Sequence, residues 1–316
     1  MEKNITILSF GAGQDSTAIL YKLVLDKTFR EQYVTGELIV LMSDTGNEHP
    51  GTYLHVQFIR TFCEYHKIEF YLITSSQGYH PKNWDSLQHN FKTHSTVMSV
   101  AFPKTCTDNL KIKPLYNFLD HYIAKLYYGY NQTKRPKGKR YIKHYCKQFG
   151  KINVLLGIAA GEESRIAIKL KSGQQYQIDL FGNLIASKTT WMDHCLQKLY
   201  PLVDLQMDRS ACQTYIRTTG LPLPPPSNCM MCPFLSKQEI LWLYRNYPEV
   251  FYEWQDYEKA KLHKFSNANI SSNLGVKGRL TLSEFLDQAI SEFGHMTDEQ
   301  LDDYKMSHGH CVKSTY

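Results

Sequence analysis

Ile5-Thr6-Ile7-Leu8-Ser9-Phe10-Gly11-Ala12-Gly13-Gln14-Asp15-Ser16-Thr17-Ala18-Ile19-Leu20 is the stretch that decides the fold. Ile5–Phe10 is nearly continuous apolar sequence, the pattern of a strand covered on both faces. Gly11 and Gly13 then let the backbone turn tightly and approach a ligand closely. Asp15, Ser16 and Thr17 are polar capping types set before an apolar run, so a helix starts there. A helix start offers free N–H groups to a phosphate, and Ser16 and Thr17 add hydroxyl donors. No Lys follows at the spacing of a P-loop kinase or GTPase, which disfavours that nucleotide class. The plainer alternative is a tight strand-to-helix turn that uses glycine for geometry alone.

Working outward, Leu38–Met42 is a second apolar run, closed by Ser43-Asp44-Thr45-Gly46. Residues 52–66 read as a helix with Leu54, Phe58, Ile59 and Phe62 on one face. Phe70–Ile73 and Asn153–Ile158 read as third and fourth strands. The first three recur about every 30 residues with helices between, the rhythm of a parallel sheet. In such sheets ligands bind beyond the carboxyl ends of the strands. The polar or glycine-rich loops 9–17, 43–48 and 157–165 all fall on that edge. The predicted class is therefore α/β, a doubly wound and mostly parallel sheet with a mainly helical C-terminal part. Residues 108–128 read as helical and 172–190 as a hairpin around Phe181-Gly182-Asn183. Leu221-Pro222-Leu223-Pro224-Pro225-Pro226 is a stiff connector leading into Cys229-Met230-Met231-Cys232-Pro233. A nucleotide-binding domain is expected over 1–205, with a basic insertion near 130–151, and a cysteine-bearing helical region over 206–316.

The chain has 316 residues, enough for about two domains. With 42% hydrophobic and 21% charged residues it can bury a core, which excludes a disordered segment. It has no apolar run of about 18 residues to span a membrane, and its start lacks the pattern of a signal peptide. A cytoplasmic location and no membrane partner are expected. Eight cysteines are too dilute for a disulfide scaffold, so clustered ones point to metal ligation or redox chemistry. The net charge of +6 comes from one stretch: Lys134–Lys151 holds eight basic and no acidic residues. Its Lys134, Arg135, Lys137, Lys139, Arg140 and Lys143, interleaved with Tyr141 and Tyr145, have the composition of a nucleic-acid-binding segment. The alternative is a solvated loop.

Other side chains have chemistry suited to the strand-end loops. Lys111 and Arg165 can neutralise phosphate or sulfate, Arg in bidentate fashion. Asp44 can accept from a ribose or hold Mg²⁺ with the phosphates. Cys229 and Cys232 sit at metal-chelating spacing and need partners from elsewhere. Cys106 and Cys311 are the first candidates, with Cys212, His308 and His310 as alternates. A [4Fe-4S] cluster and Zn²⁺ both stay open, as do a redox dithiol and buried thiols beside Met230 and Met231.

The loop Ser9-Phe10-Gly11-Ala12-Gly13-Gln14-Asp15-Ser16 resembles the pyrophosphate-binding loop of the ATP pyrophosphatase (PP-loop) superfamily, in its PAPS/APS (sulfonucleotide) reductase-like branch. Asp44-Thr45-Gly46-Asn47-Glu48, Cys106–Leu115, Gly157–Arg165, Tyr200-Pro201-Leu202 and Cys229-x-x-Cys232-Pro233 resemble further motifs of that superfamily, in the same order, over residues 5–235. The Asp-Ser pair is kept while the upstream half of the loop differs, and Thr107 stands where iron–sulfur APS reductases have a second cysteine. The resemblance implies a Rossmann-like nucleotide fold and an adenine nucleotide, ATP with Mg²⁺, held by residues 9–17 together with Asp44, Thr45, Gly157, Glu162 and Arg165. It implies Asp15, Ser16, Lys111 and Arg165 as catalytic groups acting by charge stabilisation, and substrate activation by adenylation linked to sulfur transfer. Cys311 corresponds to the tail nucleophile if the chain is instead a thiol-dependent sulfonucleotide reductase. Relatives act on tRNA or DNA, take sulfur from a donor or larger complex, and often form homodimers. A third reading is a nucleotide-sensing or nucleic-acid-binding subunit of a DNA-modification or defence complex.

Overall fold

The computed structural model describes residues 4–166, 175–178, 184–187, 190–267 and 273–308. Its strands are β1 (Ile5–Ser9), β2 (Glu37–Ser43), β3 (Glu69–Ile73), β4 (Ile152–Leu156), β5 (Gln175–Ile178), β6 (Leu184–Ser187) and β7 (Leu196–Leu199). In the N-terminal half the helices are α1 (Gln14–Leu25), α2 (Lys27–Tyr33), α3 (Pro50–Tyr65), α4 (Leu87–His94), α5 (Lys113–Tyr128) and α6 (Arg140–Phe149). They continue as α7 (Trp191–Cys195), α8 (Pro201–Asp204), α9 (Arg209–Thr218), α10 (Lys237–Asn246), α11 (Pro248–Lys264), α12 (Leu282–Phe293) and α13 (Asp298–His308).

Five strands form one all-parallel sheet in the order β3-β2-β1-β4-β7, while β5 and β6 make a separate antiparallel pair. Alternate strand residues go to opposite faces. Leu8, Val40, Met42 and Leu155 join Ile19 and Leu20 of α1, Ile59 of α3, and Cys212 and Ile216 of α9 in one core. Ile7, Ile39, Leu41 and Val154 join Leu119 of α5 and Ile142 and Tyr145 of α6 in the other. Helices thus cover both faces, as the apolar strands predict. The strand order reverses between β1 and β4, so a crevice opens at their carboxyl ends, where open α/β sheets place their ligands.

A third core is helical. It gathers Phe91 of α4, Leu110, Met231 and Cys232, Leu241 and Trp242 of α10, Phe251 and Trp254 of α11, Leu286 of α12 and Leu301 of α13. Two contacts tie α13 back to the site. The buried Lys305 Nζ donates to Asn228 Oδ1 at 3.0 Å, and Gln213 Nε2 donates to Met306 O at 3.1 Å. Edge strand β7 departs from the sequence reading; with Gln197 exposed and only four residues, it carries too little apolar pattern to be seen.

Candidate functional site

At the switch point, Ser9 ends β1 and a four-residue loop delivers the chain to α1. Ala12 sits in the left-handed region at φ 54°, a costly conformation for a residue with a Cβ. It turns the loop so that Ser16 Oγ accepts from Gly11 N and donates to Gly13 O, each at 3.2 Å. Gly13 is the N-cap of α1 and supplies no side-chain cap to the end of the helix where an anion is favoured. Two glycines are required by crowding. A Cβ on Gly13 would meet the Ser227 side chain, and one on Gly157 would come within 3.0 Å of Ser16 N. The loop after β4 and the segment before Cys229 are therefore pressed against the β1–α1 loop and the start of α1.

These elements line a cleft of about 980 Å³, open mouth included. Ser9, Phe10, Gly11, Gly13, Asp15, Ser16, Lys111, Gly157 and Arg165 all face it, so the structure brings most of the sequence-derived candidates together. Glu48, Tyr116, Arg209 and Ser227 join them and were missed by sequence reasoning. Arg209 opens α9, and Asp208 caps that helix by accepting from Ala211 N at 2.7 Å. Its guanidinium pairs with Glu162, which also takes Arg165 Nη1 at 2.5 Å, and its Nε lies 3.9 Å from Asp15 Oδ2. Lys111 Nζ lies 3.4 Å from Glu48 Oε1. Three cations thus converge on one cleft. Burial pushes the Asp15 carboxyl up to about 6, against the pull of Arg209, and its Oδ1 has no hydrogen-bond partner among the described residues.

Other expected residues lie outside the cleft lining or face elsewhere. Asp44 stands outside the cleft lining, its Oδ1 accepting from Gly46 N at 2.8 Å and Tyr53 Oη at 2.9 Å. The Thr17 hydroxyl turns away to His55 Nε2 at 3.1 Å, and Gln14 Oε1 accepts from Gln213 Nε2 at 2.8 Å. Ala12 is fully buried, so its part is backbone geometry. Glu162 is the shared counter-ion of the two arginines and does not itself line the cleft.

Beside this cleft lies a second pocket of about 390 Å³, open mouth included. Cys106, Cys229 and Cys232 line it, with Leu87, Met98, Leu110, Met231 and Pro233 as apolar wall and Lys104 and Lys111 as cations. Thr45, expected at the nucleotide, lines this cavity instead. The turn 228–235 is fixed from three sides. Asn47 accepts Met230 N on its carbonyl and Met231 N on Oδ1, at 2.9 and 2.8 Å. Lys277 Nζ donates to Pro233 O at 2.6 Å and also to Leu235 O, and Lys305 holds Asn228. Among the described residues no three His, Cys, Asp or Glu side chains are close enough to hold a single metal ion. Cys106, Cys229 and Cys232 are thus three thiols around one apolar, lysine-flanked cavity. Cys212 is buried in the sheet's core, and His308 Nδ1 faces Tyr304 O at 3.1 Å, so neither alternate lines this cavity. His310 and Cys311 lie outside the described residues.

The basic run is not a loop throughout. Ile142 and Tyr145 turn one face of α6 onto α5, while Asp120 Oδ1 accepts from Tyr141 N and Ile142 N at 2.9 Å. Tyr145 is therefore buried and unavailable for base stacking, a correction to its expected role. Tyr141 packs at 5.5 Å on both Tyr128 and Tyr130. Lys134, Lys137, Arg140 and Lys143 are exposed, whereas Arg135 is half-buried and Lys139 is held by Asn117.

No family model and no curated protein matches the chain. Two solved structures resemble it. One is the phosphoadenylyl-sulfate (PAPS) reductase from Candida auris in its phosphate complex, 14% identical, TM-score 0.33, matching 70% of this chain and 74% of that one. The other is the U34-tRNA thiolase NcsA from Methanococcus maripaludis with its [4Fe-4S] cluster, 13% identical, TM-score 0.41, matching 97% of this chain and 83% of that one. Function rests on the site itself. No helix among the described residues is long and apolar enough to cross a membrane.

Proposed function

We propose that the chain is a PP-loop enzyme that binds ATP in the cleft at the β1/β4 switch point and activates its substrate by adenylation, with release of pyrophosphate. The observation that carries this reading is the convergence of an uncapped helix start with Lys111, Arg165 and Arg209 on one cleft. Backbone N–H groups of the loop and Ser16 Oγ would take the β- and γ-phosphates. Arg165 and Arg209, already aimed by Glu162, would take the charge that develops on the leaving pyrophosphate. Mg²⁺ would come with the phosphates, and Asp15, with its unpartnered Oδ1, is better disposed to meet it than Asp44.

Sulfur transfer is proposed as the second half of the reaction. Cys106, Cys229 and Cys232 would hold a [4Fe-4S] cluster, which when bound supplies a site for sulfur at the edge of the nucleotide cleft. The exposed Lys134, Lys137, Arg140 and Lys143 suit a nucleic-acid acceptor. The test is anaerobic incubation with Mg-ATP, a sulfide donor and bulk tRNA or DNA, followed by phosphorus NMR. AMP and pyrophosphate are expected; ADP and orthophosphate would contradict the reading.

A further inference from the structure

Two thiols that line neither pocket meet where neighbouring strands begin. Cys146 lies in the last turn of α6, which leads into β4, and Cys195 ends α7, which leads directly into β7. β4 and β7 run in parallel with Ile152 opposite Leu196, so the two helix ends come together at the amino edge of the sheet. Cys146 Sγ donates to His194 O at 3.2 Å, the carbonyl of the peptide that joins His194 to Cys195. Lys151 Nζ makes a second tie to the same turn, donating to Asp193 O at 2.7 Å. Both cysteines are free thiols; Cys195 is 4% exposed, while Cys146 is half-buried. Burial, and then the Cys146 thiol beside it, push the Cys195 thiol up to about 11, against the pull of Lys143 and Lys151. The nucleotide cleft lies at the other end of β4, five residues or roughly 16 Å away. Far apart in sequence, the two cysteines carry no spacing motif.

A disulfide demands two Cα atoms that are already near neighbours, and a sulfur lodged against the other cysteine's own peptide meets that demand. We propose that Cys146 and Cys195 are a redox pair, which a low-molecular-mass disulfide such as oxidised glutathione converts into an internal disulfide stapling α6 to the edge strand β7. Cys146, the more accessible thiol, reacts first. Its sulfur attacks one glutathione sulfur, the S–S bond breaks, and the other half leaves as a thiolate that takes the Cys146 proton. The Cys195 sulfur then attacks Cys146 Sγ, the mixed disulfide breaks, and the second glutathione leaves with the Cys195 proton. Two protein thiols are thereby oxidised by two electrons, and one glutathione disulfide is reduced to two thiols. Burial sets this order: Cys195 is closed to the oxidant but lies beside the mixed disulfide and resolves it. β7 is a four-residue edge strand paired with β4 alone, so the staple reinforces a short margin of the sheet. The pair is independent of the ATP reading, because neither cysteine lines the cleft or the second pocket.

The full-length chain is equilibrated anaerobically in buffers of increasing oxidised-to-reduced glutathione ratio, quenched in acid and alkylated, and its linked peptides are mapped by mass spectrometry. The expected result is a peptide pair joining Cys146 to Cys195 that accumulates with a single midpoint, while the core thiols Cys63 and Cys212 stay reduced. Cys195→Ala should stop the reaction half-way, leaving Cys146 with one glutathione attached. Cys146→Ser should abolish the pair and leave Cys195 as a thiol. If Cys195→Ala fails to fold, the wild-type map and Cys146→Ser, a change at a half-buried position, still decide. Closing a loop of about 50 residues should raise the melting temperature of the oxidised wild type by at least about 4 °C, a rise that Cys146→Ser loses. Cys146 and Cys195 both unlinked at the most oxidising ratio, or either one linked to a different cysteine, overturns the pair. A rise in melting temperature that persists in Cys146→Ser, or a linked pair with no rise, overturns the staple.

Discussion

Gly13→Ala probes the contact on which the cleft's shape depends. The backbone of Gly13 is ordinary, at φ −93° and ψ 173°, so alanine brings no conformational strain of its own. The obstacle is Ser227: the new Cβ would stand 2.7 Å from Ser227 Cβ and closer still to its Oγ. Rotating the hydroxyl does not relieve a Cβ–Cβ clash, so the 221–227 segment or the helix start has to move. Overpacking of this kind costs about 1–3 kcal/mol. At about 2–4 °C per kcal/mol for a domain of this size, the melting temperature should fall by roughly 3–8 °C. The moved part is also the N-cap of α1 and a wall of the cleft, so ATP should bind about tenfold more weakly, worth about 1.4 kcal/mol. Ser227→Gly removes the opposing Cβ, and the double variant should recover most of both losses, with a coupling of about 1 kcal/mol. Thermal unfolding and calorimetric titration of the four proteins measure this. A Gly13→Ala protein of wild-type stability and affinity, or a double variant no better than the single, would refute the proposed closure of segment 221–227 on the loop.

Arg209→Ala should weaken binding of ATP and of pyrophosphate alike by about 10–100-fold, the range for loss of a charge-assisted contact, and Arg209→Lys should recover only part of it; equal affinity in all three proteins would remove Arg209 from the site. Asp15, raised to about 6 by burial, makes a contribution that is full below its ordinary value near 3.8 and lost as pH rises through 6. Asp15→Asn should therefore be more stable than wild type at pH 7, by on the order of 2 kcal/mol, and no more stable at pH 4; denaturant titrations at the two pH values decide. Replacing exposed Lys137, Arg140 and Lys143 by Ser should lower the slope of log affinity against log salt by about 2–3 for tRNA or DNA, whereas an unchanged slope would leave that face of α6 and its approach loop as solvated surface.

What was legible in the sequence was what hydrophobic period and glycine dictate. Ile5–Ser9 and Glu37–Ser43 are nearly pure apolar runs, and both faces of the sheet are covered. The glycine loop could be read because Gly13 and Gly157 answer to close contacts that leave no space for a Cβ. Arg209 was illegible because nothing near it in sequence marks it: it reaches the cleft only because α9 packs on α1 through Cys212 and Ile216. Asp44 and Glu48 differ for the same reason. Both are carboxylates in one loop, but Tyr53 and Gly46 hold Asp44 aside while Glu48 turns inward to Lys111. The basic run misled on local structure because its charges hide the apolar i, i+3 pair Ile142 and Tyr145 that folds it onto α5. The nearness of Cys106 to Cys229 and Cys232 comes from the helical core that joins residues 87–110 to 230–301.

The most direct test of the central claim is a competition titration, in which Mg-ATP is titrated into the full-length chain alone and again in saturating pyrophosphate. Saturable one-site binding, displaced by pyrophosphate and lost in a protein lacking both Arg165 and Arg209, is the predicted result. ATP binding that ignores pyrophosphate, or no binding of either, would contradict a phosphate site at the β1/β4 switch point.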